Sequence, residues 1–422
     1  MKASPQFSRR DFLKTSAAAT VGTLGCTNFA WGQSASDTIR VGLIGCGGRG
    51  SGAAVNCANS APGVEIVGMA DLFRDRLTGA RNNLKKELKD KFKVTNETSY
   101  VGFDAYKELL ASDVNYVILA TPPGFRPIHF EAAVAAGKNI FFEKPVAVDP
   151  VGVRKVIAAS EVAAQKKLAV VAGTQRRHQN SYIETIKRIR EGAIGDVIWG
   201  EIYWNQGLLW VNKRQPKWTD MEYQCRNWYY FTWLGGDHIV EQHIHQHDVM
   251  NWIMGGPPAK VYGSGGREVR TGEEFGHIFD HFQIEYEYPN GVRIFSSCRQ
   301  QDGTVGRVDE FIKGTKGTSG PGGWIAGEKR WNFAGANPDA YKQEHTDNIE
   351  ALRAGKPLNE GRQVAESTLT AIMGRMAAYT GQEVTWDFAL NKSKLDLSPP
   401  SYNLDQALPV PPVAVPGQTK LI

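Results

Sequence analysis

The apolar run Ile39–Ile44 passes directly into Gly45-Cys46-Gly47-Gly48-Arg49-Gly50, and that junction restricts the fold more than any other part of the chain. A short, unbroken apolar run suits a strand buried on both faces. The glycines at 45, 47 and 50 match G-x-G-x-x-G, and residues 51–58, rich in small side chains, read as a helix. Each glycine has a task there: a tight turn, close backbone approach to a pyrophosphate, and close packing of helix on strand. The helix N-terminus adds free N–H groups and a partial positive charge that suit phosphate. A glycine turn alone is a weak signal; a strand before it and a helix after it strengthen it.

Residues 64–70 form a second strand, with Asp71 at its end. A carboxylate there accepts hydrogen bonds from a ribose diol and repels a 2′-phosphate, which favours NAD over NADP. Arg74 and Arg76 follow closely and soften that discrimination. Residues 114–120 form another strand, ending at Thr121-Pro122-Pro123, and residues 129–136 a helix. The strand at 139–142 ends at Glu143-Lys144-Pro145. This alternation predicts a doubly wound parallel sheet with its ligand across the carboxyl ends of the strands. Lys144 stands at such an end and is a site candidate on position alone.

The first 32 residues read as an address. Ser8-Arg9-Arg10-Asp11-Phe12-Leu13-Lys14 precedes an Ala-rich apolar run over residues 17–24, the layout of a twin-arginine export signal, with a plausible cut after Gly32. Cleavage before Cys26 with lipidation is the alternative, disfavoured by Thr23. The apolar run is too short for stable membrane insertion. Twin-arginine export carries folded proteins, so a nucleotide cofactor loaded before export should not dissociate. The formal charge of +5 includes a net three charges from Lys2, Arg9, Arg10, Lys14 and Asp11, leaving a nearly neutral chain with no sign of nucleic-acid binding. Five cysteines without paired spacing point to neither a disulfide framework nor a cysteine zinc site.

With the glycine fingerprint, Ala120-Thr121-Pro122-Pro123 and Phe141-Phe142-Glu143-Lys144-Pro145 in this order and spacing, the chain resembles the Gfo/Idh/MocA family of glucose–fructose oxidoreductase, inositol dehydrogenase and rhizopine catabolism. The resemblance extends over essentially the whole chain after the signal. It implies an N-terminal Rossmann domain and a C-terminal α/β domain with a large, mostly antiparallel open sheet. It also implies that Lys144 contacts substrate and nicotinamide. The candidate cofactor contacts are Gly45, Gly47, Gly48, Arg49, Gly50, Asp71, Thr121, Pro122, Glu143 and Lys144. The expected domains are 37–167 and 168–394, followed by a Pro-rich arm over 395–422.

Residues 237–254 contain neither Gly nor Pro and read as one continuous helix, in which His238, Glu241, His245, Asp248 and Trp252 fall on one stripe. The resemblance places His245 where the family has its catalytic histidine and Asp248 where an acid follows. It departs at Glu241, where the family has Asp, and at His243, where it has Gly. Glu241, Asp248, Arg176 and His178 are the substrate-binding candidates, the last two because the family's substrate residues follow the strand at 168–173. An imidazole has a pKa suited to taking a hydroxyl proton near neutrality. His243 and His247 also have the spacing of a helical metal pair, and purely structural histidines are a further reading; the reading adopted has no metal.

Six of the eleven tryptophans lie between residues 199 and 233. As a cluster beside a redox site, flat aromatic faces favour the C–H faces of sugar rings over simple packing. Residues 258–313 alternate around the turn Tyr288-Pro289-Asn290-Gly291, as a sheet would. The resemblance implies that this sheet's outer face makes subunit contacts, in a homodimer or homotetramer. The expectation is an exported NAD-dependent oxidoreductase acting at a ring hydroxyl of a sugar, glycoside or polyol. An NAD-dependent glycosidase working by transient oxidation and elimination is the alternative.

Overall fold

The computed structural model describes residues 38–422, so the expected export signal lies outside the described residues. The first sheet is built from β1 (Ile39–Ile44), α1 (Gly48–Ser60), β2 (Val64–Asp71), α2 (Arg74–Leu88), β3 (Ser99–Val101), α3 (Ala105–Ala111), β4 (Tyr116–Leu119), α4 (Arg126–Ala135), β5 (Asn139–Phe142), α5 (Pro150–Gln165) and β6 (Val170–Ala172). Its order is β3-β2-β1-β4-β5-β6, and every pairing is parallel. β4 and β6 are buried at every position, because helices cover both faces of the sheet.

The boundary expected at 167/168 falls one strand too early. β6 pairs with β5, Ile140 beside Val170, and completes the first sheet. Its all-apolar sequence needs cover on both faces, which only this sheet gives. Residues downstream also return to it. α11 (Ala340–Arg353) packs on α1, and Asn348 Nδ2 donates to the Tyr116 hydroxyl at 2.8 Å.

Between β6 and α11 the chain forms α6 (Asn180–Arg190), β7 (Val197–Gln206), α7 (Asp220–Arg226), the short turns α8 (Thr232–Gly235) and α9 (His238–Glu241), and α10 (Ile244–Met254). β8 (Lys260–Gly266), β9 (His281–Glu287), β10 (Arg293–Gln300), β11 (Arg307–Gly314), β12 (Gly317–Gly320), β13 (Trp324–Gly327) and β14 (Trp331–Asn332) follow. α12 (Gly361–Thr380) and β15 (Val384–Thr385) come after α11. The second sheet has the order β14-β13-β12-β11-β7-β10-β9-β8-β15, antiparallel except where β7 meets β10. Period-two burial along β9, with Phe282, Ile284 and Tyr286 inside, shows that one face is covered and the other open. α12 is buried along most of its length and packs on β8, α10 and α5, joining the two sheets through one core.

The fingerprint turn fixes how closely α1 approaches β1. Gly45 has φ +99°, and a Cβ on Gly50 would collide with the Gly45 carbonyl oxygen. Gly50→Ala should therefore push α1 away, cost about 1–3 kcal/mol by overpacking, and weaken dinucleotide binding. Thermal unfolding together with a nucleotide-binding titration checks this.

Candidate active site

A cavity of about 860 Å³ runs across the carboxyl ends of β1, β2, β4 and β5 to the start of α10. It gathers Gly45, Gly47, Gly48, Arg49, Gly50, Asp71, Thr121, Pro122, Glu143, Lys144, Glu241 and His245 onto one surface. At its phosphate end, α1 begins at Gly48 with no side chain capping its N–H groups. A Cβ on Gly48 would meet nothing, and one on Gly47 only the Arg76 guanidinium at 4.0 Å, so bare backbone faces the cavity. The Asp71 carboxylate accepts from Cys46 N at 2.7 Å and Phe73 N at 2.8 Å. Burial lifts its pKa above the usual carboxylate range, against these two amides. A carboxylate has about four acceptor positions, so Asp71 keeps capacity for a ribose diol. Backbone cradle, helix N-terminus and strand-end acid all suit a dinucleotide.

Arg49, inside the fingerprint, reaches the other way. Its Nε lies 2.5 Å from Glu143 Oε1 and its Nη2 3.1 Å from Glu344 Oε1 on α11, while its guanidinium stands 4.9 Å from the Tyr341 ring. Burial, followed by the nearby Glu143, holds the Glu344 carboxyl well above its ordinary pKa. The phosphate turn is thereby tied to both the β5 end and the second half of the chain.

At the far end, Lys144 follows β5, and its peptide bond to Pro145 is cis. Lys144 Nζ donates to the Glu241 carbonyl at 2.6 Å and to Glu241 Oε1 at 3.0 Å. Glu241 Oε2 is buried without a partner, and burial lifts this carboxyl's pKa, opposed by Lys144. His245 stacks on Trp204 with ring centres 5.8 Å apart. Burial, then the charge of Lys144, holds its imidazole well below the ordinary pKa, so the ring is neutral and keeps a lone pair.

Two family models cover most of the chain: "oxidoreductase family, NAD-binding Rossmann fold" (Gfo/Idh/MocA) over residues 39–174, and the Gfo/Idh/MocA C-terminal domain over 182–319. The chain belongs to this family. A twin-arginine translocation signal model also matches residues 6–24, and no helix among the described residues is long and apolar enough to cross a membrane. Relatives include an uncharacterized oxidoreductase of Streptococcus pneumoniae, 29% identical over 43% of this chain and 46% of its own length. Another is inositol 2-dehydrogenase of Salmonella typhimurium, 27% identical over 51% of this chain and 55% of its own length. The chain thus spans about half the length of these curated relatives. Among solved structures, scyllo-inositol dehydrogenase of Lactobacillus casei with bound NAD(H) and scyllo-inositol aligns at TM-score 0.63 and 19% identity, covering 83% of this chain and 99% of that one. That likeness establishes the fold.

This Gfo/Idh/MocA chain departs from the sequence expectation along its histidine segment. The helix is not continuous. α9 ends at Glu241, and His243 N bonds back to the His238 carbonyl at 3.3 Å, one residue wider than an α-helical turn, before α10 begins at Ile244. No glycine or proline is needed for such a widening, which is common at functional sites. It leaves the Glu241 carbonyl to Lys144 and splits the stripe. Glu241 and His245 face the cavity; His238 is buried against Asp237, 3.0 Å away.

Three substrate candidates do not line the cavity. Asp248 is buried in a two-pronged pair with Arg177, at 2.8 and 2.9 Å, and accepts from Ser367 Oγ at 2.7 Å. Arg176 pairs with the buried Glu310. His178 lies between Asp347 at 2.6 Å and Glu360 at 3.3 Å. Each of these three polar groups has an internal countercharge from a segment distant in sequence. His243 and His247 point to the second sheet, His243 Nε2 lying 2.8 Å from Ser296 Oγ and His247 packing on Tyr286. Among the described residues no group of three or more His, Cys, Asp or Glu is arranged to hold a metal.

Sequence reasoning missed Arg126, Gln175, Gln242 and Tyr341, all of which line the cavity. Arg126 is buried, donates to the Leu119 carbonyl at 2.6 Å, and burial lowers its pKa to about 10. Its place in the first turn after Thr121-Pro122-Pro123 was the available signal. Tyr341 had none, being remote in sequence.

His178 sets a pH dependence. Burial alone would lower its pKa, but Asp347 and Glu360 raise it to about 10, above an unfolded value of about 6.5. Its pairing therefore stabilises the fold fully below about pH 6.5 and is lost as pH rises through about 10. In urea unfolding, the stability gap between the parent and His178→Gln should narrow across that window; a constant gap contradicts the charged pair.

Proposed function

We propose that this chain is an NAD-dependent oxidoreductase that transfers hydride at a ring hydroxyl of a sugar or polyol, exported to the periplasm with its cofactor resident. The observation carrying this reading is one cavity that joins the dinucleotide cradle to Lys144 and His245. Gly45, Gly47, Gly48 and the α1 N-terminus would hold the pyrophosphate, Asp71 the adenosine ribose, and Thr121, Pro122 and Glu143 the nicotinamide half. Bound there, NAD would supply the hydride acceptor.

His245 then receives the hydroxyl proton on its lone pair while the hydride leaves the same carbon, giving a ketone. The Lys144 ammonium, fixed by Glu241, stabilises the negative charge that grows on the oxygen. Glu241 Oε2, unpartnered and buried, is ready to accept from a neighbouring hydroxyl. Trp204, Trp210 and Trp228 line the same cavity and offer flat apolar faces to a sugar ring. The Salmonella typhimurium relative is an inositol 2-dehydrogenase, and inositol is a ring polyol, which agrees with this substrate class. Exposed Tyr262 and Phe295 on the open sheet face suit a homo-oligomer.

The free, buried carboxylate oxygen of Glu241 also supports the glycosidase reading. A second acid–base group beside His245 is what elimination after oxidation requires. Aglycone release without net ketone separates the two.

Lys144→Ala and His245→Ala should each lower turnover about a hundred- to ten-thousand-fold while nucleotide content is unchanged. Rates on inositols, sugars and glycosides, with nucleotide quantified after denaturation, check this. Near-parent turnover in either variant removes that residue from the mechanism.

A further inference from the structure

The segment 207–230, between β7 and α8, closes one side of the cavity, to which it contributes Trp210, Asn212, Cys225 and Trp228. α7, within it, is clasped to the start of α2. Arg226 pairs with Asp75 at 3.0 Å, and its guanidinium lies 3.9 Å from the centre of the Phe73 ring. Phe73 lines the cavity beside Asp71. Internally the segment is knitted by Asn212, whose Nδ2 donates to the Arg226 carbonyl at 2.6 Å.

The same segment is held from behind by the C-terminal arm. Residues 401–408 alternate between exposed and half-buried, with a turn in the middle where Gln406 N donates to the Asn403 carbonyl at 3.0 Å. Leu397 N, at one end, donates to Asp149 Oδ2 at 2.9 Å, at the start of α5. Tyr402 packs on Phe103 and Phe125, ring centres 6.0 and 5.7 Å away, and both of those rings line the cavity. At the other end Leu408 N donates to Asp220 Oδ2 at 3.1 Å, Gln224 Nε2 donates to the Leu408 carbonyl at 2.5 Å, and Thr219 Oγ1 to the Leu404 carbonyl. The strap thus runs from the first domain, across the outside of the cavity wall, onto α7.

We propose that residues 397–408 hold the 207–230 segment shut over the dinucleotide, so that cofactor residence is set by this closure as well as by the nucleotide's own contacts. The inference rests on the resident-cofactor reading above. A dinucleotide enclosed this way leaves only when α7 lifts, and lifting α7 breaks both the Arg226 clasp and the strap. Lid opening of this kind limits ligand release in many enzymes.

The test measures nucleotide loss from the full-length protein under dilution into nucleotide-free buffer, by quantifying what stays bound with time. The variants are Tyr402→Ala combined with Leu404→Ala and Leu408→Ala, and Asp220→Ala alone, which removes one strap bond and the Arg214 pair at 2.8 Å without opening the aromatic cluster, with Arg214→Ala as the control for that pair. Arg226→Ala reports the clasp. Release should quicken roughly ten- to a hundredfold in the triple variant and in Arg226→Ala, and measurably in Asp220→Ala relative to Arg214→Ala, because the opening that limits release is then less opposed. Folded strap and clasp variants that release nucleotide at the parent rate overturn the proposal; if the triple variant does not fold, Asp220→Ala decides by its excess over Arg214→Ala. A parent that purifies without nucleotide refutes residence itself, and the ratio of release rates after reconstitution still decides the strap.

Discussion

The ammonium of Lys144 is held by the main-chain and side-chain oxygens of a single residue, Glu241, and both side chains are only 11% exposed. Lys144 stands two residues beyond β5 of the first sheet, and Glu241 ends a short helix of the second half. A buried pair across two lobes is a poor source of net stability, but breaking it leaves an uncompensated charge, which fixes geometry. His245 sits one widened turn beyond Glu241, so the same contact places the imidazole relative to the lysine. The Arg49 pairs with Glu143 and Glu344 do the equivalent work at the phosphate end. Between the two ties lies the cavity.

Much of this arrangement was legible in the sequence. A fully apolar strand followed by three spaced glycines admits few folds, and Lys144 was marked by standing at a strand end before a proline. Periodicity failed where tertiary contacts outweigh it. Residues 237–254 read as one helix because nothing in them breaks a helix, yet the chain widens at His243, where the Glu241 carbonyl is taken by Lys144. Asp248, Arg176 and His178 carry chemistry that suits a site, but Arg177, Glu310, Asp347 and Glu360 neutralise them internally. No local rule announces such long-range pairing. β6 was recognised as a buried strand and placed in the wrong domain, because an apolar run does not name its sheet.

The tryptophan cluster divides in the same way. Trp204, Trp210 and Trp228 face the cavity, whereas Trp233 packs edge-on against Phe125 and donates to Gln224 at 2.7 Å. Composition located the cluster; only the fold separates cavity-facing rings from packing ones. The aromatic core beside the site is also where α7, the C-terminal arm and the first domain meet. The cavity wall at α7, the C-terminal arm and the first domain are therefore held by one packed core.

In the proposed reaction one cavity carries both a resident dinucleotide and the Lys144–His245 pair that works on a ring hydroxyl. The most direct measurement mixes the purified protein, with no nucleotide added, with inositols, sugars and glycosides, and follows the near-ultraviolet absorbance of reduced nicotinamide. The account predicts that at least one ring polyol or sugar reduces the bound cofactor in a single turnover, to about one equivalent per chain, and that His245→Ala abolishes the signal. Absence of any reduction without added nucleotide, with normal turnover once it is supplied, would contradict it.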